Sequence, residues 1–196
     1  MKFCPQCATA LTWRAEAEDG GEKSRLRCPA CRFTHWNNPT PVLAAIVECT
    51  DRGGQLLLAR NAAWTHRSFA LITGFMEAGE TPEQGILREV AEETSLRAVA
   101  EPALIGVYDF QRMNQVIIAY HVQAEGEITL SPELAEYRLF EPSQVRCWPA
   151  GTGYALARWL RARGIEPQWM EWGQPSAVKT AAQLLESNAA DHHRTP

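Results

Sequence analysis

The stretch GFMEAGETPEQGILREVAEETSL, from Gly74 to Leu96, decides the fold of this chain because it joins a glycine-containing loop to one strongly marked helix. Thr81 is an N-cap residue type, Pro82 suits the first helical position, and Gln84 can complete a capping box with Thr81. The helix then continues through ILREVAEE. The local pattern therefore predicts a helix that starts just after Thr81.

Two faces of that helix carry different chemistry. The positions that can face a hydrophobic core are Ile86, Leu87 and Val90. Glu89, Glu92 and Glu93 fall at i, i+3 and i+4 and share another face, where like charges repel by about 0.2–0.5 kcal/mol per pair. A hard divalent cation such as Mg²⁺, which prefers oxygen ligands, would offset this repulsion. The alternative is a solvated acidic face with Arg88 as its ion-pair partner.

The same stretch resembles the Nudix box, G-x5-E-x7-R-E-U-x-E-E-x-G-U, in which U is a bulky aliphatic residue. The matching residues are Gly74, Glu80, Arg88, Glu89, Val90, Glu92, Glu93 and Leu96. Ser95 stands where the pattern has its second glycine, which closes the helix in a left-handed turn, and serine adopts that conformation at a cost of about 1 kcal/mol. The resemblance implies the α/β (α+β) fold class, as an α/β/α sandwich with a mixed sheet, over residues 39–165.

Size and composition describe an ordinary globular protein. A chain of 196 residues can bury one core and a small satellite, and its formal net charge of -4 does not indicate a nucleic-acid-binding protein as a whole. No apolar run approaches the ~20 residues of a membrane span. The start MKFCPQC lacks the apolar region of a signal peptide. We therefore expect a cytoplasmic protein with reduced thiols.

Four cysteines near the start form two C-x-x-C pairs, which are Cys4, Cys7, Cys28 and Cys31. Four thiolates arranged as two knuckles suit tetrahedral Zn²⁺ and leave no open position for a catalytic water. The segment between the pairs turns at Asp19-Gly20-Gly21, which indicates a β-hairpin. The pattern predicts a small zinc ribbon over residues 1–38 in which zinc is structural. Metal-free or disulfide-bonded pairs are the alternative.

The charge of the predicted ribbon bears on its partners. Residues 1–36 carry six Lys or Arg against four acids, so their net charge is 6 − 4 = +2. This is a weak electrostatic footprint for nucleic acid. We expect a structural or dimer-forming role, and nucleic-acid binding through the ribbon is the alternative.

The rest of the chain alternates strand-like and helix-like segments. Strands are predicted over residues 42–49, 55–60, 70–74, 102–110, 114–128 and late in 131–142, and an amphipathic helix over 151–163. Residues 166–196 form a C-terminal extension. In it, PQWMEW is expected to fold back on the body, AVKTAAQLLESNAA to form a short helix, and DHHRTP to be disordered.

A zinc ribbon followed by such a box resembles the NADH pyrophosphatases and the zinc-ribbon-bearing ADP-ribose and FAD pyrophosphatases. The resemblance implies hydrolysis of a pyrophosphate bond in a nucleoside diphosphate joined to another moiety, with Mg²⁺ or Mn²⁺ as the catalytic ion. It implies that Glu89, Glu92 and Glu93 bind this metal, together with a carboxylate from outside the box. Glu136, placed just before a strand that begins at Tyr137, matches that position, and Glu133 is the second choice.

Catalytic roles follow from the same resemblance. Glu92, Glu93 and Glu136 are all candidates for the general base, and the sequence does not choose among them. Arg88 is expected to pair with Glu80 and to fix the loop in front of the helix. The resemblance also implies a homodimer.

Substrate choice depends on aromatic residues outside the metal site. Phe75, Tyr108, Phe110 and Trp148 are candidates for stacking on a base, an interaction worth ~1–3 kcal/mol. The Ser-Gln-Pro-Trp-Pro-Phe-Pro signature of NADH pyrophosphatases is missing, since the corresponding stretch reads ALIGVYDFQRMNQ. This departure counts against a strict NADH assignment and favours ADP-ribose or FAD.

Two other functions remain open at the level of sequence. The same site could serve a nucleoside triphosphate hydrolase or an RNA-cap hydrolase. A nucleotide- or RNA-binding regulator without catalytic activity could also keep the fold. The intact Arg88-Glu89 and Glu92-Glu93 pairs argue against the regulator, because mutually repelling acids would then have no purpose.

Overall fold

A computed structural model describes residues 1–170 of the chain. These residues belong to two compact units, one of Met1–Pro39 and a second that begins at Thr40. The second unit holds both helices and most of the strands.

The first unit is built on an antiparallel hairpin. Strand β1 (Thr12–Glu18) pairs with β2 (Gly21–Arg27), and the short β3 (Thr34–His35) pairs with the end of β2. The chain turns between β1 and β2 through Gly20 and Gly21, both at positive φ, as the sequence predicted.

A mixed sheet forms the centre of the second unit. Its strands are β4 (Thr40–Cys49), β5 (Gln55–Asn61), β6 (Ile72–Phe75), β7 (Arg97–Ala98), β8 (Ala103–Phe110), β9 (Gln115–Glu125) and β10 (Leu134–Phe140). The main path runs β10-β5-β4-β9-β7, while β6 pairs with β4 and β8 pairs with β9. The pair β4 and β9 is parallel and the other pairs are antiparallel, which confirms the predicted mixed sheet.

One helix packs on each face of this sheet. Helix α1 (Pro82–Thr94) buries Ile86 and Val90 in a cluster with Leu43 and Leu57. Helix α2 (Thr152–Arg161) buries Trp159 and its neighbours on the opposite face, in clusters with Ile46, Leu56 and Ala44. Successive strand residues point to opposite faces, so residues two apart in β4 and β5 join the same helix. The predicted α/β/α sandwich is therefore confirmed.

The end of the described chain returns to the body. Strand β11 (Arg146–Cys147) pairs in parallel with β12 (Gln168–Trp169), and the Met170 N–H donates to the Cys147 carbonyl at 2.8 Å. The expected return of this segment is confirmed as far as Met170. The short helix and the disordered end predicted further on lie outside the described residues. Within residues 1–170, no helix is long and apolar enough to cross a membrane.

One predicted boundary is corrected. Glu136 was expected in a loop before a strand beginning at Tyr137, but β10 begins at Leu134 and contains Glu136. The register of β10 against β5 shifts between Leu134 and Glu136, so an irregularity in the ladder separates Glu136 from the preceding residues.

Candidate active site

Helix α1 is fixed at both ends by the residues that the sequence singled out. The Thr81 side chain accepts from the Gln84 N–H at 3.3 Å, and the Gln84 side chain accepts from the Thr81 N–H at 2.9 Å, which confirms the capping box. At the other end Ser95 has φ 60° and donates its N–H to the Ala91 carbonyl at 2.9 Å. Serine therefore adopts the left-handed turn expected of the missing glycine.

Arg88 lies at the centre of an ion-pair network on this helix. Its Nε and Nη2 donate to the two carboxylate oxygens of Glu80, each at 3.0 Å, which confirms the predicted pair. Its Nη1 donates to Glu89 at 2.8 Å and to Glu92 at 3.1 Å, and its Nη2 also reaches the Phe75 carbonyl at 3.2 Å. This planar fork ties the loop before α1 to the acidic face of the helix.

Glycine is required where the loop meets these carboxylates. A Cβ at position 74 would lie 1.9 Å from Cδ of Glu89, so only glycine allows this carboxylate to approach strand β6. A Cβ at position 85 would lie 2.5 Å from Glu80 Oε1 and from Leu43 Cδ1. Gly74 and Gly85 together leave the space in which Glu80 and Glu89 are held.

Hydrogen bonding and burial shift the pKa values of these carboxylates in opposite directions. Hydrogen bonding to Arg88 lowers the pKa of Glu80, whereas burial raises the pKa of Glu89. Glu93 is 8% exposed, and its burial, together with the negative charges of Glu89 and Glu133, raises its pKa to about 7. Glu92 is the exposed member of the set, with 63% of its side chain accessible.

The two candidate acids outside the box lie in different surroundings. Burial is the main cause of the raised pKa values of Glu89 and Glu93, and the negative charge of Glu133 adds a smaller contribution to both. Glu136 instead pairs with Arg67 at 2.7 Å, and this ion pair lowers its pKa. The structure thus places Glu136 among arginines, whereas the segment that leads to Glu133 contacts the end of α1, where the Ser131 N–H donates to the Glu93 carbonyl at 3.0 Å.

A cleft of about 500 Å³ opens in the second unit. Of the four aromatic residues predicted to stack on a base, Phe110 and Trp148 line it, and Phe75 and Tyr108 lie elsewhere. Phe75 is 58% exposed, and Tyr108 is half-buried with Arg158 beside its hydroxyl. Thr73 lines the cleft and its chain neighbour Gly74 contacts Glu89, so strand β6 connects the cleft with the acidic site.

Sequence reasoning missed several residues of this cleft. Its other wall comes from the segment between β5 and β6 and includes Trp64, His66 and Phe69. Two aromatic residues and a histidine within six positions were the available signal, but an irregular loop has no periodicity from which side-chain direction can be read.

The carboxylates on and around α1 fit a hard divalent cation. They supply oxygen donors, Glu93 is buried beside other acids, and a Cβ at position 74 would fill the space next to Glu89. Within residues 1–170 the oxygens of Glu89, Glu92 and Glu93 do not all lie within 4.8 Å of one another. Arg88 holds Glu89 and Glu92 through one nitrogen.

The first unit contains a second metal-binding constellation. The sulfur atoms of the four ribbon cysteines all lie within 4.8 Å of one another. The knuckles are built alike, since the Ala8 N–H donates to the Cys4 carbonyl at 2.9 Å and the Arg32 N–H to the Cys28 carbonyl at 3.1 Å. Four thiols this close together, on two equivalent turns, suit tetrahedral zinc.

Comparison with protein families gives two matches. Residues 39–161 match the NUDIX domain, and residues 2–37 match the zinc-ribbon family described as Nudix N-terminal. The chain is 29% identical to the NUDIX hydrolase of Nitrosomonas europaea, with a TM-score of 0.69 over 87% of this chain and 97% of that one. An ADP-ribose pyrophosphatase of Streptococcus suis shares the fold at 16% identity, with a TM-score of 0.51 over 68% of this chain and all of that one.

Curated relatives carry a more specific name. The chain is 30% identical to the NAD-capped RNA hydrolase NudC of Stutzerimonas stutzeri over 161 residues, which are 81% of this chain and 54% of that protein. It is also 30% identical to the protein of the same name from Pseudomonas aeruginosa, over 65% of this chain and 42% of that protein. The chain thus spans about half the length of the curated relatives it matches.

Proposed function

Because this chain belongs to the Nudix family, we propose that it hydrolyses a pyrophosphate bond in a nucleoside diphosphate joined to another moiety. The observation that carries the proposal is the Arg88 network, which ties Glu80, Glu89 and Glu92 together beside the buried Glu93. A catalytically inactive binding protein would have no use for so many carboxylates held at one place.

We propose that Glu89, Glu92 and Glu93 bind Mg²⁺ or Mn²⁺, with Glu133 as the carboxylate from outside the helix. The bound ion would neutralise charge on the phosphoryl groups and lower the pKa of a water molecule. The sequence favours Glu136 as this carboxylate, but its ion pair with Arg67 supports a role outside the metal site.

The other residues of the site position these groups. Arg88 orients Glu89 and Glu92 and neutralises part of their mutual repulsion, while Glu80 fixes Arg88 from the loop side. The water is deprotonated by a carboxylate within hydrogen-bond reach, for which Glu92, Glu93 and Glu133 are the candidates. The substrate base is placed in the cleft against Phe110 and Trp148.

The names of the relatives bear on the substrate class. An NAD cap on RNA contains the same ADP-linked pyrophosphate as NADH, so a dinucleotide hydrolase and an RNA-cap hydrolase need the same bond-breaking machinery. The relatives named NAD-capped RNA hydrolase support hydrolysis of an RNA cap. The missing NADH signature remains a departure from the pattern of NADH pyrophosphatases. We propose that the same site can hydrolyse both the free dinucleotide and the NAD cap of RNA.

We propose that the ribbon binds a structural zinc ion and that the protein is a homodimer of the cytoplasm. Zinc thiolate sites are typical of compartments in which cysteines stay reduced. Strand β8 pairs only with β9 among the described strands, and its Leu104 and Val107 are about 60% exposed. Light scattering after size-exclusion chromatography measures the oligomeric state.

The proposed activity is tested with a panel of ADP-ribose, FAD, NADH, NAD-capped RNA and nucleoside triphosphates, each with Mg²⁺ or Mn²⁺. Release of AMP or of 5′-monophosphate RNA from the ADP-linked compounds is the expected result. Turnover of triphosphates alone would contradict the assigned bond. Binding of RNA with no turnover of any compound would favour the inactive regulator.

A further inference from the structure

Three arginines surround a single carboxylate beside the cleft. Glu136 Oε1 lies 2.7 Å from Arg67 Nη2 and 3.5 Å from Arg138 Nε, and its Oε2 lies 3.9 Å from Arg60 Nε. Three guanidinium groups against one acid leave a local charge of about +2. We call Arg60, Arg67, Arg138 and Glu136 the arginine cluster.

Donors in this cluster exceed the acceptors available to them. Each guanidinium has five N–H donors, whereas one carboxylate offers two oxygens. Nε of Arg60 is buried without a hydrogen-bond partner. Arg67 and Arg138 remain accessible, with 68% and 46% of their side chains exposed. A polyatomic anion could therefore bind here without displacing Glu136.

The arginine cluster adjoins the wall of the cleft that contains Trp64, His66 and Phe69. Arg67 lies between His66 and Ser68, which both line the cleft. The guanidinium carbon of Arg138 stands 4.6 Å from the centre of the Phe69 ring, which also lines the cleft. Arg60 donates to the carbonyl of Trp64, another lining residue, at 3.5 Å. The arginine cluster thus adjoins the residues that form this wall of the cleft.

A nucleotide combines the two groups that such a surface recognises. Aromatic side chains stack on a base, and a planar guanidinium fork binds phosphate oxygens. The scissile pyrophosphate must reach the carboxylates of α1, whereas the carboxylate of the arginine cluster, Glu136, is paired with arginines. The arginine cluster is therefore available to a phosphate group other than the pyrophosphate.

We propose that the arginine cluster binds a further phosphate ester on the ribose of the nucleotide whose base lies in the cleft, an inference that rests on the proposed function. The favoured substrate then carries phosphate beyond its pyrophosphate. Two sources share this chemistry: the 3′-phosphodiester of an RNA chain and the 2′-phosphate monoester of a phosphorylated dinucleotide. Glu136 holds the arginines in place as a positioning residue.

Binding of unreactive nucleotides tests the proposal without any turnover. Isothermal titration with Mg²⁺ compares AMP, adenosine 2′,5′-bisphosphate and the dinucleotide pApA, none of which contains a pyrophosphate bond. At least one extended nucleotide should bind about tenfold more tightly than AMP, as expected for a charge-assisted hydrogen bond. A preference for pApA identifies the phosphodiester, and a preference for the bisphosphate identifies the monoester.

Variants assign that preference to the arginine cluster. Arg67→Gln and Arg138→Gln should each remove most of it. Arg67→Gln should leave AMP binding unchanged, because 68% of the Arg67 side chain is exposed and its loss spares the fold. Arg97→Gln is the matched control, since Arg97 is 73% exposed and pairs with Glu125. Equal affinity for all three nucleotides, no measurable binding of any, or a preference that survives both variants would overturn the proposal. Hydrolysis in the substrate panel is measured separately, so either idea can fail alone.

Discussion

At the scale of single residues, Arg88 organises the candidate site. One guanidinium contacts three carboxylates and a backbone carbonyl, which a lysine ammonium could not do in the same fixed geometry. The raised pKa of Arg88, caused first by its hydrogen bonds to Glu80, keeps it charged at every physiological pH. The acidic face of α1 is therefore partly neutralised before any metal binds.

The choice between Glu133 and Glu136 gives a first prediction. Glu133→Gln should lower kcat by about tenfold or more, because it removes a carboxylate that acts on Glu89 and Glu93. Glu136→Gln should lower kcat less. Steady-state kinetics of both variants on the best substrate of the panel gives the ranking, and the reverse order would contradict the placement of Glu133 in the site.

The predicted contact of Arg88 with Glu80 inside the box is confirmed, whereas contacts around the box were not predicted. Gly74, Glu80 and Arg88 stand at fixed spacings in the helix and in the loop before it. The local sequence pattern therefore indicates which of these residues lie close together. Glu133 precedes β10 and Glu136 lies within it, after a register shift between Leu134 and Glu136. Such a shift changes which face a side chain joins, and the composition does not reveal it. The arginine cluster brings together positions 60, 67 and 138, whose proximity only the folded sheet reveals.

At the scale of elements, helix α1 carries a local strain at its end. Ser95 has φ 60°, which costs a residue with a Cβ about 1 kcal/mol relative to glycine. Its hydroxyl donates to the Thr129 carbonyl at 3.2 Å, which offsets part of that cost. The sequence showed the substitution, and the structure adds the compensating bond.

Two substitutions at this position separate the strain from the hydrogen bond. Ser95→Ala removes the bond and keeps the Cβ, so it should lower the free energy of unfolding. Ser95→Gly removes both and should be more stable than Ser95→Ala by about 1 kcal/mol. Chemical denaturation of the three proteins measures these differences. Equal stability of the glycine and alanine variants would show that the left-handed turn carries no strain.

Most elements were predictable because their periodicity is strong. The capping box places the start of α1, and the apolar stripe of Leu156, Trp159 and Leu160 places α2, although the predicted range of 151–163 overran the observed Thr152–Arg161. The parallel pairing of β4 with β9 joins strands far apart in the chain, and local patterns carry no information about it. Strand β6 pairs separately with the first half of β4, and its residues Thr73 and Gly74 adjoin the cleft and Glu89, respectively.

At the scale of the whole molecule, the first unit has almost no hydrophobic core. It has 39 residues, and its buried apolar residues are Cys4 and Cys28. Units of this size rarely fold on hydrophobic burial alone, so we propose that a zinc ion bound by the four cysteines supplies the missing folding energy.

Metal content tests this dependence. Freshly purified, reduced protein should contain about one zinc per chain. Cys28→Ser should abolish the zinc and the hydrogen-exchange protection of β1 and β2 while leaving β4 and β9 protected. Cys147→Ala, at a buried cysteine of the second unit, is the control and should keep the zinc. Full protection of the hairpin in metal-free protein would refute the structural role.

The central claim is that the carboxylates of α1 form a metal-dependent pyrophosphohydrolase site, and AMP release from ADP-linked substrates tests it most directly. The wild-type protein and Glu93→Gln are compared in a titration with Mg²⁺. We predict turnover that rises with Mg²⁺ in the wild type and falls by about 10²–10³-fold in Glu93→Gln, since several kcal/mol of transition-state stabilisation are lost with the metal ligand. Equal turnover by the two proteins, or turnover independent of a divalent cation, would contradict the account.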